Sequence, residues 1–187
     1  MRALCISLGL VSAAAGCTTQ VDTTYMPTGT GPAASLLCTS SGKNAFDTYG
    51  ATAFVAVNKA IFANVAAEVS AHSSANVGDS FTKIGTGQPA ATSDDAAAFE
   101  GALAAFLVYV YGGPTSITYT DNKTYDGKQD MTIAHTGLGI TSAQYDYFVA
   151  NIVVPALTSS GVPMDDVSSC FAPPITSAAF KASIVGK

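Results

Sequence analysis

Apolar residues recurring at alternating three- and four-residue intervals constrain this chain more than any other feature. Phe54, Val57, Ile61, Val65 and Val69 make one such run, and Phe99, Leu103, Phe106, Leu107 and Val110 make another. That spacing lays a stripe down one face of a helix, whereas a half-buried strand alternates every second residue. No strand-like alternation of useful length occurs. The expected class is therefore all-α, with Thr115–Gly127 read as a loop or small hairpin.

Punctuation sets the remaining elements. Over Ser70–Thr92 the pattern is broken by Gly, Pro, Ser and Asn, and the stretch reads as loop or short irregular helix. Ser93-Asp94-Asp95 reads as a helix cap and first turn. Gly112-Gly113-Pro114 ends the second striped helix. A short helix over about Gln129–Thr136 ends at Gly137 and Gly139. Ser142 is expected to cap a longer helix carrying Tyr145, Phe148, Val149, Ile152 and Leu157, which Pro155 should kink or split. After Gly161-Val162-Pro163, a last helix starts near Met164, carries Val167, Cys170 and Phe171, and is interrupted by Pro173-Pro174.

Composition narrows the function classes. Of 187 residues, 48% are hydrophobic and 11% charged, too apolar for an acidic disordered tail. The formal charge is −5 and Arg2 is the single arginine. Phosphate binding needs a dense basic patch, so no nucleic-acid partner is expected. Asp94-Asp95 and Asp165-Asp166 read as carboxylates facing helix N-termini. Asp121, Asp126 and Asp130 lack EF-hand spacing, and neither a phosphate loop nor a nucleophile elbow occurs.

The N-terminus reads as an address. Met1-Arg2 precedes an apolar run, Ala3–Ala15, too short to span a bilayer. It ends in Ala14-Ala15-Gly16-Cys17, which resembles the lipobox of bacterial lipoproteins. The resemblance implies a signal peptide over 1–16, lipidation of Cys17 and an exported protein lipid-anchored at the cell envelope. Thr18, in place of Asp, implies the outer membrane. Ordinary secretion with nearby cleavage is the alternative. Residues 17–42 then read as the lipidated Cys and a flexible Thr/Gly/Pro/Ser-rich linker, and 43–187 as one domain. Cys5 leaves with the signal, so Cys38 and Cys170 remain in an oxidising compartment. They are either a disulfide or two separate thiols.

The chain has two histidines, His72 and His135. Alone, a His ending a short helix is commonly structural. Here it sits in a specific order: Gly112-Gly113-Pro114, then Tyr125-x-Gly127-Lys128, then Met131, then Ala134-His135-x-Gly137-Leu138-Gly139-Ile140-Thr141, then Gly161-Val162-Pro163. This order resembles group I truncated haemoglobins over roughly residues 45–175, most strongly from Gly112 to Pro163. The resemblance implies a two-over-two helical sandwich around one haem, with His135 as proximal iron ligand. It places Met131 on the same haem face, and Lys128 or Tyr125 at a propionate, with charge favouring Lys128. Ile140, Tyr145 and Phe148 match pocket walls. The distal-helix positions that usually carry Gln fall on Phe99 and Leu103, with Phe106 on the same stripe, and the distal Tyr position falls on Phe62. All are apolar here. A donor to a polarised gas ligand is charge-assisted, so its lack disfavours a simple oxygen carrier and tolerates CO and NO.

His72 reads either as a solvated loop histidine or as a sixth iron ligand, the latter suited to electron transfer or redox sensing. The expected function is a haem globin at the envelope that binds or senses a diatomic gas or passes electrons to a redox partner the sequence does not identify. The alternatives are a nitric oxide dioxygenase or peroxidase on the same scaffold, and a haem-free structural lipoprotein. Turnover would mark the first and the lack of a Soret band the second.

Overall fold

The computed structural model describes residues 25–85 and 96–187. The signal-like segment 1–16, Cys17 and the Ser93-Asp94-Asp95 cap lie outside the described residues.

The first helix, α1 (Ala45–His72), starts where Asn44 caps it. The Asp47 amide donates to Asn44 Oδ1 at 2.7 Å, and Asp47 sits in the first turn, where a carboxylate suits the helix dipole. Gly50, at φ 73° and ψ 168°, breaks the rod near its start, a conformation open to glycine and costly to other residues. Beyond it the expected stripe is realised. Phe54, Val57, Ile61, Val65 and Val69 are all buried, each contributing about 1.5–3 kcal/mol by leaving water. By length and composition α1 could cross a membrane, but its stripe forms the centre of the core here.

The region read as loop or short irregular helix holds a short helix, α2 (Asp79–Gly85), which packs on α1. α3 (Ala96–Val110) follows, and its burial differs from the expectation. Its fully buried face is Gly101, Ala104, Ala105 and Val108, while Phe99, Leu103, Phe106 and Leu107 are half-buried. The reason is close packing. A hairpin of β1 (Ser116–Thr118) and β2 (Thr124–Asp126), registered Ile117 to Tyr125, lies on α3. A side chain on Gly101 would collide with the Tyr125 ring, and one on Gly127 with Ala105 and Tyr109 of α3. Small residues therefore take the close contact, and the bulky stripe faces elsewhere.

α4 (Met131–His135) is capped by Asp130, which accepts from the Thr132 and Ile133 amides. The next rod is capped by Thr141, not by Ser142 as expected. Thr141 and Gln144 form a reciprocal capping box, with Gln144 N donating to Thr141 Oγ1 and Thr141 N to Gln144 Oε1. It runs through α5 (Ser142–Phe148), a π turn over Val149–Val153 and α6 (Val154–Ser159). Helix continues on both sides of Pro155. The π turn widens the ladder so that Val154 N bonds Val149 O, and the proline enters at the first turn of α6, where its missing N–H is least costly. Asn64 of α1 donates to the Ile152 carbonyl at 3.0 Å.

The last rod repeats the device. α7 (Met164–Asp166) leads through a π turn, Val167–Phe171, into α8 (Ala172–Thr176), and Pro173-Pro174 fall in the first turn of α8 instead of interrupting the helix. α9 (Ala178–Ala182) ends the described fold. Helix dominates, with one small hairpin, consistent with the all-α class.

The linker expectation fails from Tyr25 onward. Ala33, Ala34 and Cys38 are buried, Ala33 N donates to Val110 O at 2.9 Å, and Tyr25 OH bonds Asp47 and accepts from Asn44 N. Gly29 and Gly31 lie against the backbones of Gly112 and Tyr109, where a Cβ would not fit. These glycines permit close approach, not flexibility. Cys38 and Cys170 form a disulfide that fixes this arm to the last rod, 132 residues away. Beside it, fully buried Asp166 accepts from Ser40 N, Ser40 Oγ and Tyr49 OH. Burial opposes ionisation of Asp166, but the Ser40 and Tyr49 donors outweigh it and hold its carboxyl below the usual carboxylate range. Burial, then Asp166, pushes the Tyr49 phenol up to about 12.

Candidate functional site

His135 is the last residue of α4. Its Nδ1 lies 2.8 Å from the Met131 carbonyl, one turn back. A carbonyl only accepts, so Nδ1 carries the proton and Nε2 keeps its lone pair. The side chain is half-buried, and desolvation pulls its pKa below the ordinary histidine value despite the opposing bond to Met131. The imidazole is thus neutral, oriented and basic at one nitrogen. This is the arrangement in which a histidine binds a metal while its other nitrogen is held by a second group.

The chain leaves α4 through Gly137 (φ 82°) and Gly139 (φ 61°), both left-handed, with nothing within 4 Å of where a Cβ would be. Conformation, not space, demands glycine there. The reversal lets the segment after His135 turn away from the imidazole face.

α4 packs broadly against none of the other described elements. Its Met131 is half-buried and its Ile133 is 72% exposed. Five residues do not hold a helix by propensity alone, so Met131, Ala134 and His135 present a half-covered face that a further group could complete. Among the described residues, no three His, Cys, Asp or Glu side chains gather around a shared centre. A single imidazole would suit a metal whose remaining donors come with a macrocycle, as in haem.

The other expected site residues divide into two sets. Phe62 of α1 and Phe99 of α3 meet edge to face at 5.6 Å, with Leu103 half-buried one turn along α3 from Phe99. Phe62 and Phe99, expected on the distal side, are therefore neighbours. Phe106 stacks on Phe180 of α9 at 6.0 Å. Phe148 stacks on Phe81 of α2 at 4.8 Å. Tyr145 is buried and its hydroxyl donates to the Ile175 carbonyl. Ile140 is half-buried and accepts from Gly186 N at 2.9 Å. Tyr125 is committed to packing on Gly101, with its hydroxyl on Asp121 at 2.6 Å. Lys128 is exposed, with its Nζ 5.9 Å from the Tyr109 ring centroid. That leaves Lys128 the better placed of the two to meet a carboxylate from solvent.

His72 is the final residue of α1, not a loop residue. Its Nδ1 lies 2.9 Å from Glu68 Oε1 and its side chain is 55% exposed. A cavity of about 190 Å³ lies nearby, lined by Val77, Asp79, Phe81, Leu138, Ile140 and Gln144 among others. It is smaller than the roughly 300–1,000 Å³ of typical small-molecule pockets, and His135 does not line it.

Sequence reasoning missed Phe81 and Phe180, which cap two of the expected pocket residues. Phe81 sat in a stretch dominated by Gly, Ser and Asn. Phe180 lay beyond Pro-Pro without periodicity, and only Ser177, the cap whose Oγ accepts from Phe180 N, marked a helix start there.

No protein-family model, no curated protein and no solved structure matches this chain.

Proposed function

We propose that the protein is a haem-binding globin of the truncated type, anchored at the cell envelope, that binds or senses a diatomic gas or passes electrons through His-ligated iron. One observation carries the reading. His135 is a neutral imidazole with Nδ1 fixed by Met131 and, among the described residues, Nε2 without a partner and a helix beneath it that lacks broad packing. The apolar Phe62, Phe99 and Leu103 cluster and the half-buried stripe of α3 supply a surface of the character a porphyrin needs. Held by His135, haem would supply an iron able to bind a small gas or to exchange one electron.

The chain's own groups do the rest. His135 donates its Nε2 lone pair, and Met131 holds the ring in that tautomer. Lys128 is the cation for a propionate. Phe62, Phe99 and Leu103 exclude water and offer no hydrogen bond, which favours CO and NO over O2. The sandwich arrangement and the lipid anchor at Cys17 belong to this same reading. Gas titrations of the haem-loaded protein test the distal half. Tight CO binding with weak O2 binding is expected, and Phe99→Gln should raise O2 affinity by about tenfold or more, the effect of one charge-assisted hydrogen bond. Wild-type O2 affinity that Phe99→Gln leaves unmoved would place the distal pocket elsewhere.

A further inference from the structure

We propose that residues 177–187 form a strap that gates access to the His135 site. The inference rests on the site reading above and concerns what controls entry to it.

The strap touches residues expected to line the site at three places. At its start, Phe180 stacks on Phe106 of α3 with the rings 18° from parallel. In its middle, Lys181 Nζ reaches Asp146 Oδ1 at 2.5 Å and lies 5.7 Å from the centroid of the Tyr145 ring, both on α5. At its end, Gly186 N donates to Ile140 O at 2.9 Å and Gly139 N donates to the Lys187 backbone oxygen at 3.0 Å. Phe106, Ile140 and Tyr145 are three of the residues expected to line the site. Gly139 and Ile140 belong to the segment that leaves α4 directly after His135. The strap therefore joins the distal helix to the proximal segment across the edge of the site.

Its hold is weak by construction. α9 is five residues long, too short to persist unaided, and it packs broadly only on its neighbour α8. Ile184 is its one buried large side chain, and Phe180 is half-buried. The Lys181–Asp146 pair is solvent-facing, with Asp146 63% exposed, so it contributes little and weakens further with salt. Ser177, at φ −64° and ψ 142°, is the extended joint between α8 and α9, and Gly186 (φ 73°) is a second turn point. Rotation about Ser177 lifts Phe180 off Phe106 and frees Gly139 and Ile140 together. Local opening of this kind draws on segments with few buried contacts.

The test uses the haem-free protein first. Carbethoxylation by diethyl pyrocarbonate is followed at each histidine by peptide mass spectrometry, in wild type and in Phe180→Ala. His72, exposed and on another element, is the internal control. The gate predicts that Phe180→Ala accelerates modification of His135 by about fivefold to tenfold, the effect of losing one stacked aromatic pair, with His72 unchanged. Asp146→Asn should do the same to a smaller degree, and more weakly at high salt. An unchanged His135 rate in Phe180→Ala, with the variant folded by circular dichroism, overturns the gate. So does equal acceleration at both histidines, which reports global loosening. Haem uptake and haem release rates then provide the second readout, and both should rise in Phe180→Ala. A selective rise at His135 in a protein that takes up no haem upholds the gate and overturns the haem reading.

Discussion

The bond between Cys38 and Cys170 is the most quantitative handle on this fold. It ties the docked arm to the last rod across 132 residues. In the chain-entropy treatment, closing a loop of that length removes about 17 cal/mol/K from the unfolded chain, or about 5 kcal/mol at 25 °C. Measured values for disulfides generally fall lower, at about 2–4 kcal/mol. Each kcal/mol moves the midpoint of a domain this size by about 2–4 °C, so Cys38→Ser/Cys170→Ser should melt about 5–15 °C below the oxidised protein. Reduction of the wild type should give the same shift. The assay is thermal unfolding by circular dichroism, with free thiols counted under denaturing conditions before and after reduction. An oxidised preparation of residues 18–187 should show no free thiol. Two free thiols in that preparation, or a double-serine variant with an unmoved midpoint, would refute the reasoning, because the arm would then be held by its packing and by Asp166 alone.

The Asp166–Tyr49–Ser40 cluster makes stability depend on pH at both ends. Asp166 has a lowered folded pKa, so its contribution is complete above the ordinary carboxylate range and is lost as pH falls through the folded value. Tyr49 is raised to about 12, so its contribution is complete below about 10 and is lost between about 10 and 12. Denaturant melts across pH should show both limbs, and Tyr49→Phe should flatten the alkaline one. Gly137→Ala should cost about 1–2 kcal/mol, the penalty for a left-handed non-glycine residue, and a denaturation midpoint equal to wild type would show that the reversal after His135 relaxes freely.

The legible and illegible parts of this molecule differ for physical reasons. The α1 stripe could be read because one long helix buries one face, so period and burial coincide. The α3 stripe misled because the helix is covered on its small-residue face by the hairpin. Close approach selects Gly101, Ala104 and Ala105, while bulky residues mark the less covered side. Pro155 and Pro173-Pro174 read as breaks because a proline clashes with an α-helical turn. A single π turn placed before each removes the clash, and no residue pattern announces it. Gly29 and Gly31 read as linker because composition does not distinguish a glycine needed for freedom from one needed for contact.

At the candidate site, the short helix ending at His135 and the glycine turn after it were legible because both are local, within nine residues. Phe62 and Phe99 were placed by resemblance and do meet. Phe81, Phe180 and the strap were not legible, because their meaning lies in contacts that cross 67 to 74 positions of chain.

The central claim concerns one nitrogen of one side chain. The most direct measurement is a haem titration of residues 18–187 followed at the Soret band, beside His135→Ala with and without added imidazole. The account predicts stoichiometric uptake by the wild type, a weakened or shifted band in His135→Ala, and recovery of the wild-type spectrum when imidazole replaces the missing ligand. Because His135 is neutral below the ordinary histidine pKa, the wild-type band should also persist as pH falls below about 6.5. A folded wild-type protein with no Soret band, or a band that His135→Ala leaves untouched, would contradict it.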